Sequence, residues 1–228
     1  MLLQWSAPEY VPRSFLVSGV SGTNKAVKQT DTSFRLTKQV ADGLVDMQEV
    51  SKGLFLVQSE MAFKKETELC EEYPERKVFQ LSFCMNGICE WDYRQKRGEH
   101  YQLSPTQCSL QCGTFSQCVS RFGSEEPYRT LSISLEQERF LPLAEDLEAA
   151  HLIRRDNKIC THIFSTTPEI RLVLQQLLDC PPERKLRKLY LEGKVLELVS
   201  LFCEEAIGKQ KNDFQRRLSL LDEGQGNY

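Results

Sequence analysis

Histidine is scarce in this chain of 228 residues: there are three, His100, His151 and His162, and none has another at the close spacing that imidazole-rich metal sites use. Cysteine is not scarce, at nine, yet no Cys-x-x-Cys pair occurs, which removes the common zinc and dithiol motifs. A basic excess is also missing. The 29 Lys and Arg against 32 Asp and Glu leave a net charge of -3, without the footprint of a surface that grips phosphates. No apolar run approaches the roughly 18 residues of a membrane span. The start, MLLQWSAPEYVPR, lacks a basic segment ahead of its short apolar patch, so no membrane or export function is expected and the chain reads as cytoplasmic. In that compartment the nine cysteines, an odd count, read as thiols. No glycine-rich phosphate loop, Ser-His-Asp order or carboxylate pair stands out, and no cofactor is expected.

The composition that is present, 40% hydrophobic and 27% charged with 12 Gly and 9 Pro, is that of an ordinary globular protein able to bury a core. Residues 18–43 are small and polar, suited to a loose connection or an edge hairpin. From Gly53 to about Leu135 the pattern is one of short strands: GLFLVQSEMAF, KVFQLSFCMNGICEWDYR, HYQLS, CSLQCGTF and YRTLSISL. Asn86-Gly87 is the dipeptide of a two-residue hairpin and predicts one there. Strands at this spacing point to an antiparallel barrel or jelly roll.

After Pro142 the period becomes helical. LAEDLEAAHLIRR predicts a short helix. TTPEIRLVLQQLLDC predicts a clearer one, capped by Thr167, opened by Pro168 and stopped by Pro181-Pro182, with Ile170, Val173, Leu174, Leu177 and Leu178 on its apolar face. A long helix follows. At about 100° per residue it carries two stripes: Leu191, Val195, Leu198 and Phe202 on one side; Leu189, Gly193, Leu196, Ser200, Cys203 and Ile207 on the other. The first stripe suits the helix's own domain. The second suits either a further face of that domain or the same helix of another chain, with Gly193 and Ser200 allowing close approach.

CPPERKLRKLYLEGKVLELVSL, residues 180–201, is similar to a segment of AraC/XylS-type transcriptional regulators of the pyochelin-regulator branch. VFQLSFCMNG and FGSEEPYRTLSISLEQERF resemble two further blocks in the same order, so the likeness runs from about Leu54 to Ile207. It implies an α+β fold, with an N-terminal cupin-like antiparallel β-barrel (a jelly roll) followed by a C-terminal helical hairpin that dimerises. The expected division is residues 1–142 for the effector-binding barrel with its arm, 143–210 for the helical dimerisation region and 211–228 for a linker or tail. The implied function is sensing of a small molecule, a siderophore-like or aromatic metabolite, by a homodimer that reaches DNA only through a helix-turn-helix half expected to lie outside this sequence. Two alternatives stand beside it: a metal-dependent cupin enzyme, and a free-standing regulator that pairs with full-length relatives.

An effector pocket would be mostly aromatic with a few placed polar groups. The candidates are Phe79, Phe83, Trp91, Tyr93 and Phe115, joined by Phe122, with Arg94 or Arg121 meeting an anionic group; each also suits plain core or surface. Trp5 and Tyr10 would belong to an arm closing over the site. His100 reads as a polar histidine near a turn, with a metal ligand as its alternative. Cys84, Cys89, Cys108, Cys112 and Cys118 read as core filling rather than a metal or redox centre. The expected dimer contacts are Leu189, Gly193, Leu196, Ser200 and Cys203.

Overall fold

The computed structural model describes the backbone of residues 14–17, 27–29, 33–36 and 38–225, except 39, 95, 97, 155 and 157; its side chains are described from 38 to 212, except those five, 72–77 and 211. Eleven strands form one continuous hydrogen-bonded sheet: β1 (Ser14–Val17), β2 (Val27–Gln29), β3 (Ser33–Leu36), β4 (Ala41–Ser51), β5 (Leu54–Phe63), β6 (Thr67–Asn86), β7 (Cys89–Tyr93), β8 (Tyr101–Leu103), β9 (Gln107–Phe122), β10 (Tyr128–Leu135) and β11 (Cys160–Ser165). Three helices complete the described residues: α1 (Gln137–Ala149), α2 (Pro168–Leu178) and α3 (Arg187–Gln225). The strand pairings are antiparallel, and β2 with β3 makes the edge hairpin of the small polar stretch.

Two long strands carry the barrel. β6 and β9 pair along most of their length, and each serves two halves of the sheet. In one half, the later part of β6 pairs with β10 and the early part of β9 with β11. In the other, the early part of β6 pairs with β1 and the late part of β9 with β7. Their register slips between Glu72 and Arg76, which bends the ribbon. Just past that bend, where it pairs with Val78, Gly113 has φ +127, and a Cβ there would meet the Lys158 carbonyl oxygen at 2.5 Å; the glycine is what lets the Lys158–Ile159 backbone pass this close.

Side chains along a strand alternate between faces, and here both faces are covered. On one, Leu54, Leu56, Phe79, Leu81, Phe83, Cys108, Leu110, Leu131 and Ile133 pack against the helices. On the other, Met61, Phe63, Leu69, Cys84, Cys89, Trp91, Tyr93, Phe115, Cys118 and Phe122 close a second core inside the barrel. The helical hairpin of α2 and α3 lies over the first face through Ile170, Val173, Leu174 and Leu177 and through the expected stripe Leu191, Val195, Leu198 and Phe202. Phe202 meets Phe83 edge-on at 6.1 Å and Phe164 at 5.7 Å. Thr167 caps α2 as expected, accepting from the Ile170 amide at 3.3 Å, while Leu178 is turned toward solvent.

Several elements differ from the sequence reading. Asn86-Gly87 makes no hairpin: β7 pairs with β8 and β9, not with β6. The turn is tight, with Gly87 at φ +73, but the Asn86 amide donates to the Pro127 carbonyl at 2.7 Å and the chain crosses from one half of the barrel to the other. The helix expected after Pro142 begins at Gln137 and contains that proline. β11 lies within 143–210, and α3 runs through the stretch expected as linker or tail.

Candidate functional site

The barrel interior combines two chemistries. One wall is polar. Thr130, Ser132 and Ser134 of β10, Gln80 and Ser82 of β6 and Ser109 of β9 alternate with the residues that face the helices. Ser82 is the register partner of both Ser109 and Ser132, and its hydroxyl lies 2.9 Å from that of Ser132. Gln80 donates to Ser82 at 3.0 Å. These serines are buried, so the polar face of these strands is an interior surface and not a solvent one.

The opposite wall is aromatic. Trp91 stacks on Tyr101 with ring centroids 5.6 Å apart, and Tyr93 lies against Phe115 at 4.9 Å. Thr161 and Ile163 of β11 reach the same space beside Gln111 and Ser109. Four polar atoms here have no hydrogen-bond partner: Trp91 Nε1, Tyr93 Oη, Ser109 Oγ and Thr161 Oγ1. The Tyr93 hydroxyl sits beside the Thr161 hydroxyl and the Trp91 indole, but the three are out of bonding geometry with one another. Trp91, Tyr93 and Ser109 are only 4%, 1% and 0% exposed. A buried donor or acceptor left unmatched costs about 1–3 kcal/mol. Four of them in one space mark a site that a small molecule or water completes.

Charge in this interior is held down. Burial pushes the Tyr93 phenol well above its ordinary value and raises the Cys84 thiol to about 11. Burial also raises Cys89 and Cys118, and the carboxylate of Glu71 adds to both shifts. Tyr101 is raised by burial and by its hydrogen bond to Glu99. The thiols are therefore protonated core groups. Among the described residues, no group of three or more His, Cys, Asp or Glu is placed to hold a metal ion.

The expected ligand residues divide. Trp91, Tyr93 and Phe115 line the interior. Phe79 and Phe83 face the helices instead: Phe83 meets Phe202, and Phe79 stacks on Phe140 at 4.5 Å beside a cleft of about 280 Å³ under α1. Arg94 is exposed beyond the end of β7. Arg121 points outward and is held by Asp92 and by Glu68 at 3.0 Å, while His100 Nδ1 lies 2.9 Å from Asp92. Burial would raise the Asp92 carboxyl, but the hydrogen bonds and charges of Arg121 and His100 hold it below its usual range. Trp5 and Tyr10 lie outside the described residues. Ser109, Thr161 and the Ser82–Ser132 pair were not anticipated; the alternation in YRTLSISL and QLSFC was the available signal, but it reads as a solvent face.

The other candidate surface is on α3. Leu189 and Leu196, two turns apart, are 64% and 44% exposed, with exposed Gly193 and Ser200 on the same strip. A Cβ on Gly193 would meet nothing within 4 Å. Cys203 does not join them, because the helix turns it into the core with Phe202 and Ala206. Lys194 and Glu197, 2.7 Å apart, add a charged edge.

The chain matches the family model of the regulatory protein PchR N-terminal domain over residues 42–218. Among solved structures it is similar to the AraC-like transcriptional activator CuxR (TM-score 0.52, 10% identity), over 76% of this chain and 60% of that one. It is similar also to an apo form of a lysine-to-alanine variant of ToxT from Vibrio cholerae (TM-score 0.51, 12% identity), over 71% of this chain and 58% of that one. These likenesses establish a shared α+β fold built on a cupin-like barrel. The chain spans less than two thirds of the length of either structure. No curated protein matches it.

Proposed function

Because the chain belongs to the family of regulatory-protein PchR N-terminal domains, we propose that it is the effector-sensing and dimerisation part of an AraC-type transcriptional regulator acting in the cytoplasm. The effector is a small molecule, a siderophore-like or aromatic metabolite, held in the barrel interior between the serine wall and Trp91, Tyr93 and Phe115. The observation that carries this reading is the set of four unmatched polar atoms in an otherwise closed core. Two copies associate through the strip of Leu189, Gly193, Leu196 and Ser200. DNA contact belongs to helix-turn-helix units of the whole regulator rather than to this near-neutral region. Binding shifts the population between arrangements of barrel and α3, and so the relative placement of two DNA-binding halves. The chain is in this reading a sensor and not an enzyme.

Thermal denaturation against a panel of aromatic metabolites and ferric siderophores tests it. The expected result is a saturable rise in Tm with at least one compound, abolished in the double variant Tyr93→Phe, Thr161→Val. A panel whose every hit stabilises wild type and variant equally would place binding outside the barrel and overturn the reading.

A further inference from the structure

The helix side of the sheet holds a space of its own, the cleft of about 280 Å³ between α1 and the strands β6, β9 and β10. The strands line it with Phe79, Cys112, Gly113 and Leu135. α1 roofs it with Gln137, Phe140, Leu141, Ala144 and Glu148, spaced as one face of a helix. The exposed polar members, Gln137 and Arg154, mark its mouth, and both guanidinium contacts of Arg154 go to Asp156 at 3.0 and 2.7 Å.

The space persists because its central residues are short and the helix above it is held near its ends. Gly113 has no side chain, and the Lys158 carbonyl oxygen bars a Cβ there at 2.5 Å; Cys112 beside it and Ala144 across from it reach little further. α1 has no side-chain cap at Glu136, and Pro142 removes the amide that would bond the Glu138 carbonyl. Its buried residue, Leu147, lies toward the C-terminal end. At the other end Arg139 donates to the Lys52 carbonyl and the Ser51 hydroxyl, both at 3.0 Å, and faces Glu192 of α3 at 3.7 Å. Between these anchors Phe140 leans on Phe79, with ring centroids 4.5 Å apart, and Leu141 stays 56% exposed.

The lining is therefore apolar and aromatic. A dry cavity of about 150 Å³ walled by Leu, Ile and Phe is enough to take up benzene. At about 280 Å³ the cleft suits one aromatic ring or two fused ones, and is too small for a peptide segment. We propose that the cleft under α1 is a second small-molecule site, which takes an apolar aromatic ligand of one or two rings beside the Phe79–Phe140 pair and leaves any polar substituent at the mouth. Phe140 follows Arg139 in the chain, so a ligand that displaces its ring loads the contact with Glu192 and reaches α3 without passing through the barrel. The site stands whether or not the barrel interior binds an effector.

Fluorobenzene is the probe, titrated into the full chain and followed by fluorine-19 NMR. Saturable binding is expected. Ala144→Phe, which places a ring in the cleft, is expected to weaken it at least about tenfold, a difference of about 1.4 kcal/mol, while the barrel variant Tyr93→Phe, Thr161→Val leaves it unchanged. Nuclear Overhauser contacts from the bound probe to the Ala144 methyl in the unaltered protein locate it without reliance on a variant's fold. Absence of saturation, unchanged binding in a folded Ala144→Phe, or contacts to the Thr161 and Ile163 methyls in place of Ala144 would each overturn the site.

Discussion

Replacing Leu196 by glutamate separates a helix face that serves its own domain from one that serves a partner. Leu196 is 44% exposed, whereas Leu198, two residues on, is fully buried against the sheet. Complete burial of a leucine side chain is worth about 1.5–3 kcal/mol, so the exposed fraction leaves about 1 kcal/mol per copy to be gained on association. In a two-fold dimer the residue counts twice, giving about 2 kcal/mol. Two carboxylates brought together at the same strip add about 1–2 kcal/mol of repulsion and desolvation. The total, about 3–4 kcal/mol, raises the dimer dissociation constant by about 100- to 1000-fold. Sedimentation equilibrium over a dilution series measures this directly, and the circular-dichroism melt of Leu196→Glu under conditions where both proteins are monomeric is expected to match wild type. A variant that dimerises with an unchanged isotherm would show that the exposed leucines of α3 are not the interface. A parallel collapse of the melt would show that Leu196 supports the domain's own core.

Two further outcomes follow from the titrating groups. Of the nine cysteines, Cys70 is the half-buried one and the other eight are buried, with Cys108 and Cys203 raised to about 12 by burial; an aromatic disulfide reagent at pH 8 is expected to titrate one thiol quickly and eight more only after denaturation, and prompt reaction of several would refute the packing of the strand cysteines. Asp92, held below its usual range by Arg121 and His100, contributes stability that is complete above the unfolded carboxylate value of about 3.9 and is lost as pH falls through the lower folded value; Asp92→Asn is therefore expected to flatten the acid limb of a stability-against-pH curve measured by urea unfolding, and an unchanged acid limb would refute the role of this ion pair.

How much of this was legible in the sequence depended on which face of a strand had to be named. The strands from β5 to β10 and the α2 cap were readable, because alternation and N-terminal signals are local. The buried stripe of α3 was readable for the same reason. What misled was the meaning of the apolar face. In an isolated sheet, Leu131 and Ile133 would be core and Ser132 and Ser134 solvent-facing; here the apolar face meets the helices and the serines close a second interior. Phe79 and Phe83, expected together with the others, accordingly face the helices, while Trp91, Tyr93 and Phe115 face the barrel interior. The Asn86-Gly87 turn shows the other limit: its residues specify a tight turn, but whether flanking strands pair or part is decided by the distant Pro127 carbonyl and by β9. Cys203 shows a third, since one residue's difference in phase on a helix separates a surface strip from the core.

The later half of β6 is a single-strand diaphragm between the barrel interior and the helices. Ser82 faces one side of it, and Phe83, the next residue, touches Phe202 of α3 on the other. A molecule that shifts this strand is felt by α3 without a relay of intervening side chains. In the sensor proposed above, the alternation makes recognition and response separable: substitutions at Ser82, Ser109 or Ser132 change the barrel interior while the Phe83–Phe202 contact stays intact, so one output helix can be fitted with many different inputs.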